Sequence, residues 1–187
     1  MLWLDLETRS QCDLRVNGLL RYAQDPTTEV ICMSYAFDNG PIDTWFAEDG
    51  AFPTSVIQYI AQGHRVVAQN AAFERHLFDF VLANDYDFTP PKLSQWICSS
   101  AWAMAHGLPS SLKDICRALD LPVQKMEEGT RLIRDYSLPH FKTQWTGNDK
   151  QLMQDYCETD VETMRLFCSV LRPLSDDEWH QYHVTER

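Results

Sequence analysis

The stretch LWLDLET, Leu2 to Thr8, constrains this chain more than any other. Side chains alternate across a β-strand, so Leu2, Leu4 and Leu6 share one face while Trp3, Asp5 and Glu7 share the other. Leucines on one side and a tryptophan on the other predict a strand covered on both faces. Two neighbouring carboxylates then point into a covered layer, where unpaired charge is costly. An acidic pair of this spacing ordinarily marks an edge strand with a solvated face, and the flanking leucines and tryptophan oppose that explanation here.

Further along, 29–37 (EVICMSYAF) reads as a longer strand and 42–47 (IDTWFA) as its hairpin partner across the turn DNGP. The intervening 14–28 reads as a loop. A helix is expected over 54–62 up to Gly63, then a short β-branched strand at 65–69. Helical spacing covers 70–85 with Asn70 placed to cap its start. A strand follows near 94–98, and a helix opens after Ser111, with Asp114 three positions on. Prolines, glycines and scattered aromatics predict short helices and mobile loop over 122–147. A long helix then spans 148–171, closed by Pro173. Strands first, then strand and helix alternating, predict an α/β fold with a mixed sheet flanked by helices.

Two more acids fall on inward faces. On a wheel of about 100° per residue, Leu152, Met153, Tyr156, Met164, Phe167 and Leu171 form one stripe, and Asp160 lies within it. Asp155, Glu158 and Glu162 fall outside, as solvated acids. Tyr156 precedes Asp160 by one turn, so hydroxyl and carboxylate can address one point. Glu74 sits with Leu77, Phe78 and Val81 on a core pattern, although a first-turn glutamate is also favoured by the helix dipole alone. Four inward carboxylates exceed what a small domain can bury without neutralisation. Divalent metal resolves this: carboxylate oxygens suit Mg²⁺ or Mn²⁺, and two ions about 3.5–4 Å apart catalyse in-line phosphodiester cleavage.

A length of 187 residues and an apolar content of 44% fit one ordinary globular domain. A net charge of -11 argues against gripping nucleic acid through a broad basic surface, so bound cations would have to mediate such contact. The six cysteines are never closer than eleven positions, which disfavours zinc and predicts reduced core thiols in the cytoplasm. No apolar run reaches the roughly 20 residues of a membrane span, and no membrane association is expected. The six histidines lack ligand spacing and are given no catalytic part. Arg131 and Lys142 read as solvated charges rather than DNA contacts. Ser175, followed by Asp176, Asp177 and Glu178, starts a last helix whose Trp179 and Tyr182 are expected to lack partners within the chain.

The motifs LDLET, AQNAAFER and YCETD, in this order, resemble the DEDD superfamily of 3′–5′ exonucleases. Tyr156 four positions before Asp160 resembles the tyrosine branch, and Asp155 stands where the sister branch has histidine. GLLRYAQDPTTEVICMSYAFDNGP, GLPSSLKDICRALDLP and EEGTRLIRDYS are similar to connecting segments in the N-terminal exonuclease domains of phage-type family A DNA polymerases. LRPLSDDEWHQYHVTER is similar to the stretch that leads out of such a domain.

The resemblance implies an RNase H-like fold with a mixed five-stranded sheet, an exonuclease domain over 1–172, and at 173–187 the start of a helical connection toward a polymerase domain. It implies a monomer in a phage-infected or prophage-carrying bacterial cell, acting on the 3′ end of single-stranded DNA with two ions, Mg²⁺ or Mn²⁺. By that analogy Asp5, Glu7 and Asp160 hold the first ion, Asp5 and Glu74 the second, and Tyr156 orients the attacking water. Thr8, Arg9, Asn70 and Phe73 are the nearest candidates to touch the terminal nucleotide. Glu74 departs from the family's usual aspartate. An RNase D-like exoribonuclease and a catalytically silent binding domain are the rival expectations.

Overall fold

A computed structural model describes residues 1–122 and 128–186. Five strands form one sheet: β1 (Leu2–Arg9), β2 (Glu29–Phe37), β3 (Ile42–Phe46), β4 (Val66–Ala68) and β5 (Trp96–Cys98), in the order β3-β2-β1-β4-β5. β1, β2 and β3 run antiparallel, while β4 and β5 run parallel to β1. β1 is therefore central, which is why it needs apolar residues on both faces.

The alternation read from the sequence governs the packing. Leu2, Leu4 and Leu6 enter one core together with α3 (Thr54–Ala61), α4 (Ala72–Leu77) and the residues that follow it. Trp3 enters the other, against α6 (Ser99–Ala105), α7 (Leu112–Ala118), α9 (Asp149–Val170) and α10 (Asp176–Thr185). A third cluster joins Ile31, Cys32 and Phe46 to Leu132 and Tyr136 of α8 (Gly129–Tyr136) and to α9. Of the six cysteines, all free, five are buried and Cys12 is half-buried. Among the described residues no helix is long and apolar enough to cross a membrane.

Several local expectations change. The loop read at 14–28 contains two short helices, α1 (Leu14–Asn17), capped by Asp13, and α2 (Leu19–Gln24). They are too short to show periodicity. Asn70 does not cap through its side chain: it sits at φ 53, and its carbonyl accepts from the Phe73 amide at 2.9 Å. Asparagine tolerates that left-handed conformation, so the residue turns the chain from β4 into α4. The helix expected over 70–85 passes through a π-helical turn at Phe78–Leu82 before α5 (Ala83–Tyr86). α6 has no counterpart in the sequence reading, being short and poor in periodic signal. Within 122–147, α8 is present, and 123–127 lies outside the described residues.

The last helix also differs from expectation. Its start at Ser175 forms as read, closed by a capping box with Glu178, but Trp179 is buried against Trp102 in an edge-to-face pair at 6.1 Å. Tyr182 packs against both main cores. The apolar residues of α10 thus find partners beside β5, where His183 also meets the Trp96 carbonyl at 2.8 Å.

Candidate active site

β1 presents Asp5 and Glu7 side by side, each only 8% exposed. The strand is regular through Glu7, and its register with β2 shifts between Glu7 and Thr8, which ends the acidic face. α4 contributes Glu74, 3% exposed, whose buried Oε2 has no hydrogen-bond partner among the described residues. α9 contributes Tyr156 and Asp160, both half-buried.

The four carboxyls share one field. Burial raises the Asp5 pKa well above the ordinary range, and the charge of Asp160 raises it further. Glu7 is raised by burial and then by Asp5, with Asp160 and Glu74 adding smaller effects. Burial and Asp5 raise Glu74. Burial alone lifts Asp160 to about 6. Carboxyls from a strand and two helices thus act on one another: Asp5 on Glu7 and Glu74, and Asp160 on Asp5 and Glu7. Tyr156 lies in that field as well: burial and the charge of Glu7 push its phenol above the usual tyrosine range, so at neutral pH it is a protonated donor.

The α9 stripe needs correction. Beyond Asp149 in its first turn, its buried residues are Met153, Cys157, Val161, Met164, Phe167 and Cys168. The core line therefore runs one residue beyond Tyr156 and Asp160, which flank it and face the acids of β1. Cysteine and valine outcompete the polar pair for the core, a contest that a wheel weighted toward the large side chains did not register. Nor is Glu158 simply solvated: its Oε1 accepts from Thr44 Oγ1 at 2.8 Å and from Gln154 at 2.7 Å.

Two residues beside the site escaped the sequence reading. The buried Cys157 thiol lies 3.3 Å from Asp5 Oδ2 and donates to it, holding one oxygen of that carboxylate. Gly129, at the start of α8, lies so close to Tyr156 that a Cβ there would approach ring atom Cε2 to 2.7 Å. An invariant spacing could not reveal either contact, since each joins segments remote in sequence.

The expected nucleotide contacts divide. Thr8 is buried and shares a 2.7 Å hydrogen bond with the Tyr22 hydroxyl. Phe73 is half-buried with its ring 6.0 Å from that of Tyr22. Arg9 pairs with Glu29 at 2.6 Å and lies over the Phe141 ring. Asn70 is exposed. Arg131 and Lys142, read as solvated charges, are paired instead. Arg131 meets Asp149 through two contacts of 2.6 and 3.1 Å, and Lys142 meets Asp135 at 2.9 Å.

A purely carboxylate donor set suits a hard divalent cation, and the Glu74 oxygen without a partner among the described residues is a donor of that kind. The residues fit such an ion in chemistry and charge. In position they do so incompletely: among the described residues no three His, Cys, Asp or Glu side chains converge closely enough to hold an ion as they stand.

No family model matches the chain. A DNA polymerase of Bacillus phage SP02 is 29% identical over 169 residues, which cover 89% of this chain and 25% of the polymerase, so the chain spans about a quarter of that relative. Among solved structures, Brucella melitensis NrnC bound to pGG superposes with a TM-score of 0.60 at 18% identity, covering 99% of this chain and 78% of that one. The fold is α/β and RNase H-like, a mixed five-stranded sheet flanked by helices.

Proposed function

We propose that this chain is a metal-dependent 3′–5′ exonuclease that releases nucleoside 5′-monophosphates from the end of single-stranded or frayed DNA, proofreading for a linked DNA polymerase. One observation carries the reading: Asp5, Glu7 and Glu74 are buried carboxyls whose charges, together with that of half-buried Asp160, disfavour one another. Such a group is stable when ionised only if a cation neutralises it. The likeness to a phage DNA polymerase supports the link to replication.

Asp5, Glu7 and Asp160 would hold one Mg²⁺ or Mn²⁺, and Asp5 with Glu74 a second. Such ions lower the pKa of a bound water and offset charge on the leaving 3′ oxygen. The chain's own groups prepare this chemistry. Cys157 occupies Asp5 Oδ2 and leaves the other oxygen to a ligand. Tyr156, held protonated, would donate to and orient the water rather than deprotonate it. Glu74 carries one methylene more than the family's aspartate and would reach its ion directly or through water.

Incubation of 5′-labelled single-stranded DNA with Mg²⁺ or Mn²⁺ tests the proposal. A descending ladder is expected, and Asp5→Ala should slow it by more than about 100-fold, the upper range for merely outer-shell losses at metal sites. A ladder that persists in Asp5→Ala sinks the assignment. A second reading keeps the chemistry and changes the substrate to RNA or very short oligonucleotides, and the likeness to NrnC bound to pGG favours including it. Matched RNA and DNA oligomers, with pGG alongside, separate the two. Absence of Mn²⁺ binding would instead support a silent binding domain.

A further inference from the structure

The corner formed by α1 and α2 is unlike the rest of the surface. Of the exposed large apolar side chains, three fall within seven residues: Leu14 at 37%, Val16 at 79% and Leu20 at 51% exposure. Single exposed apolar residues are ordinary, whereas a local group of them marks a contact surface. Residues 14–24 also contain two arginines, Arg15 and Arg21, and no acid, in a chain whose net charge is -11. Both arginines are exposed, and neither forms an ion pair among the described residues.

This corner is fastened to the acid group. Tyr22 of α2 bonds Thr8, the neighbour of Glu7, and its ring lies against Phe73, the neighbour of Glu74. The Tyr22 carbonyl accepts from Thr28 at 2.6 Å, and the Asp13 carboxylate caps α1 through the Arg15 amide at 2.8 Å. The exposed groups are thus held beside the site rather than on a loose loop.

We propose that the α1–α2 corner is the seat of the single-stranded nucleic acid just upstream of its 3′-terminal residue. Arg15 and Arg21 meet backbone phosphates there, and Leu14, Val16 and Leu20 offer apolar surface to the base faces. The proposal rests on the nuclease reading and adds the place where the strand is held. Charge complementarity selects the occupant: unpaired cations beside apolar groups suit a polyanion whose bases are exposed, which is what an unpaired strand presents. It also explains how so acidic a chain could hold nucleic acid, through two exposed arginines on elements held to β1 and α4.

The test compares the wild type with Arg15→Ala/Arg21→Ala and with Val16→Ser/Leu20→Ser, using fluorescently labelled (dT)10 and the dinucleotide pGG. Binding of (dT)10 is followed by anisotropy across salt concentrations in an Asp5→Asn background, and turnover of both substrates in the active background. Loss of two phosphate contacts should weaken (dT)10 binding by about tenfold at low salt and reduce the salt slope by about 1.4. The serine variant should weaken binding with the slope unchanged. Turnover of pGG, too short to reach the corner, should be the same in all three. Unchanged (dT)10 affinity and slope in the arginine variant overturn the seat, as does equal loss on pGG, which would mean general damage. Failure of the wild type to bind (dT)10 overturns it too. If the wild type binds (dT)10 through these arginines yet cleaves nothing, the seat stands and the nuclease reading falls. If the variants instead lose only association with a polymerase fragment, the corner is a protein interface and the proposal fails.

Discussion

Gly129 and Tyr156 meet at a distance that leaves no room for a side chain, and the consequence is testable at a single atom. Gly129→Ala places a methyl where the Tyr156 ring now lies, so the ring must swing away from the acids. A displacement of about 1 Å can cost about 100-fold in rate, and a loss of about tenfold to 100-fold in kcat is expected. Thermal unfolding should move little, because the ring is only half-buried and alanine is a better helix former than glycine. Unchanged kcat in a folded Gly129→Ala would show that the ring's position is not set by this contact. The same scale shows what was legible. Asp5 and Glu7 announce themselves because a period of two residues places both on one face of an apolar strand. Gly129 and Cys157 do not, because their contacts span tens or hundreds of positions and leave no local period.

Among the elements, α9 depends on how its first turn is tied down. Asp149 accepts two bonds from Arg131 and one of 2.6 Å from the Tyr136 hydroxyl, joining α8 to α9. These bonds hold its carboxyl down to about 2, with those from Arg131 contributing most. A depressed carboxyl contributes stability that is present above its unfolded value near 4 and is lost as pH falls toward 2. Asp149→Asn should therefore flatten the acid side of the stability profile measured by urea unfolding between pH 5 and pH 2. Removing the acceptor with Asp149→Ala should cost about 1–3 kcal/mol at pH 7, since the Tyr136 proton loses its buried partner. A profile that stays parallel to the wild type would exclude Asp149 from the acid transition. α10 shows the opposite limit of element-level reading. Its start was plain in Ser175 and the three acids that follow, but whether Trp179 had a partner depended on Trp102, 77 positions earlier.

Over the whole molecule, the buried acids oppose the fold that assembles them. Their carboxyls are raised in the folded chain, so between about pH 4 and pH 6, the span set by Asp160, the folded state holds protons that the unfolded state has released. Stability of the metal-free protein should fall as pH rises through that range, the reverse of the Asp149 contribution. A bound divalent ion should reverse this loss. At a Mn²⁺ concentration about 100 times its Kd, stabilisation of about 2.7 kcal/mol should raise Tm by roughly 5–10 °C at pH 7.5, as followed by calorimetry. Asp5→Asn should remove most of the increase, and an equal rise in that variant would place the ion elsewhere. By itself the sequence determined the strands around β1, their mixed α/β arrangement, and the inward direction of Asp5, Glu7 and Glu74. Side-chain direction within one strand or helix follows from a local period and the burial of its neighbours. Only the tertiary structure decided the rest: that Tyr156 and Asp160 flank the α9 core line, that Glu74 shares a field with Asp5, and that Arg9 pairs with Glu29. Those outcomes depend on which remote side chains compete for the same space and charge, and a competition between segments leaves no trace in either segment alone.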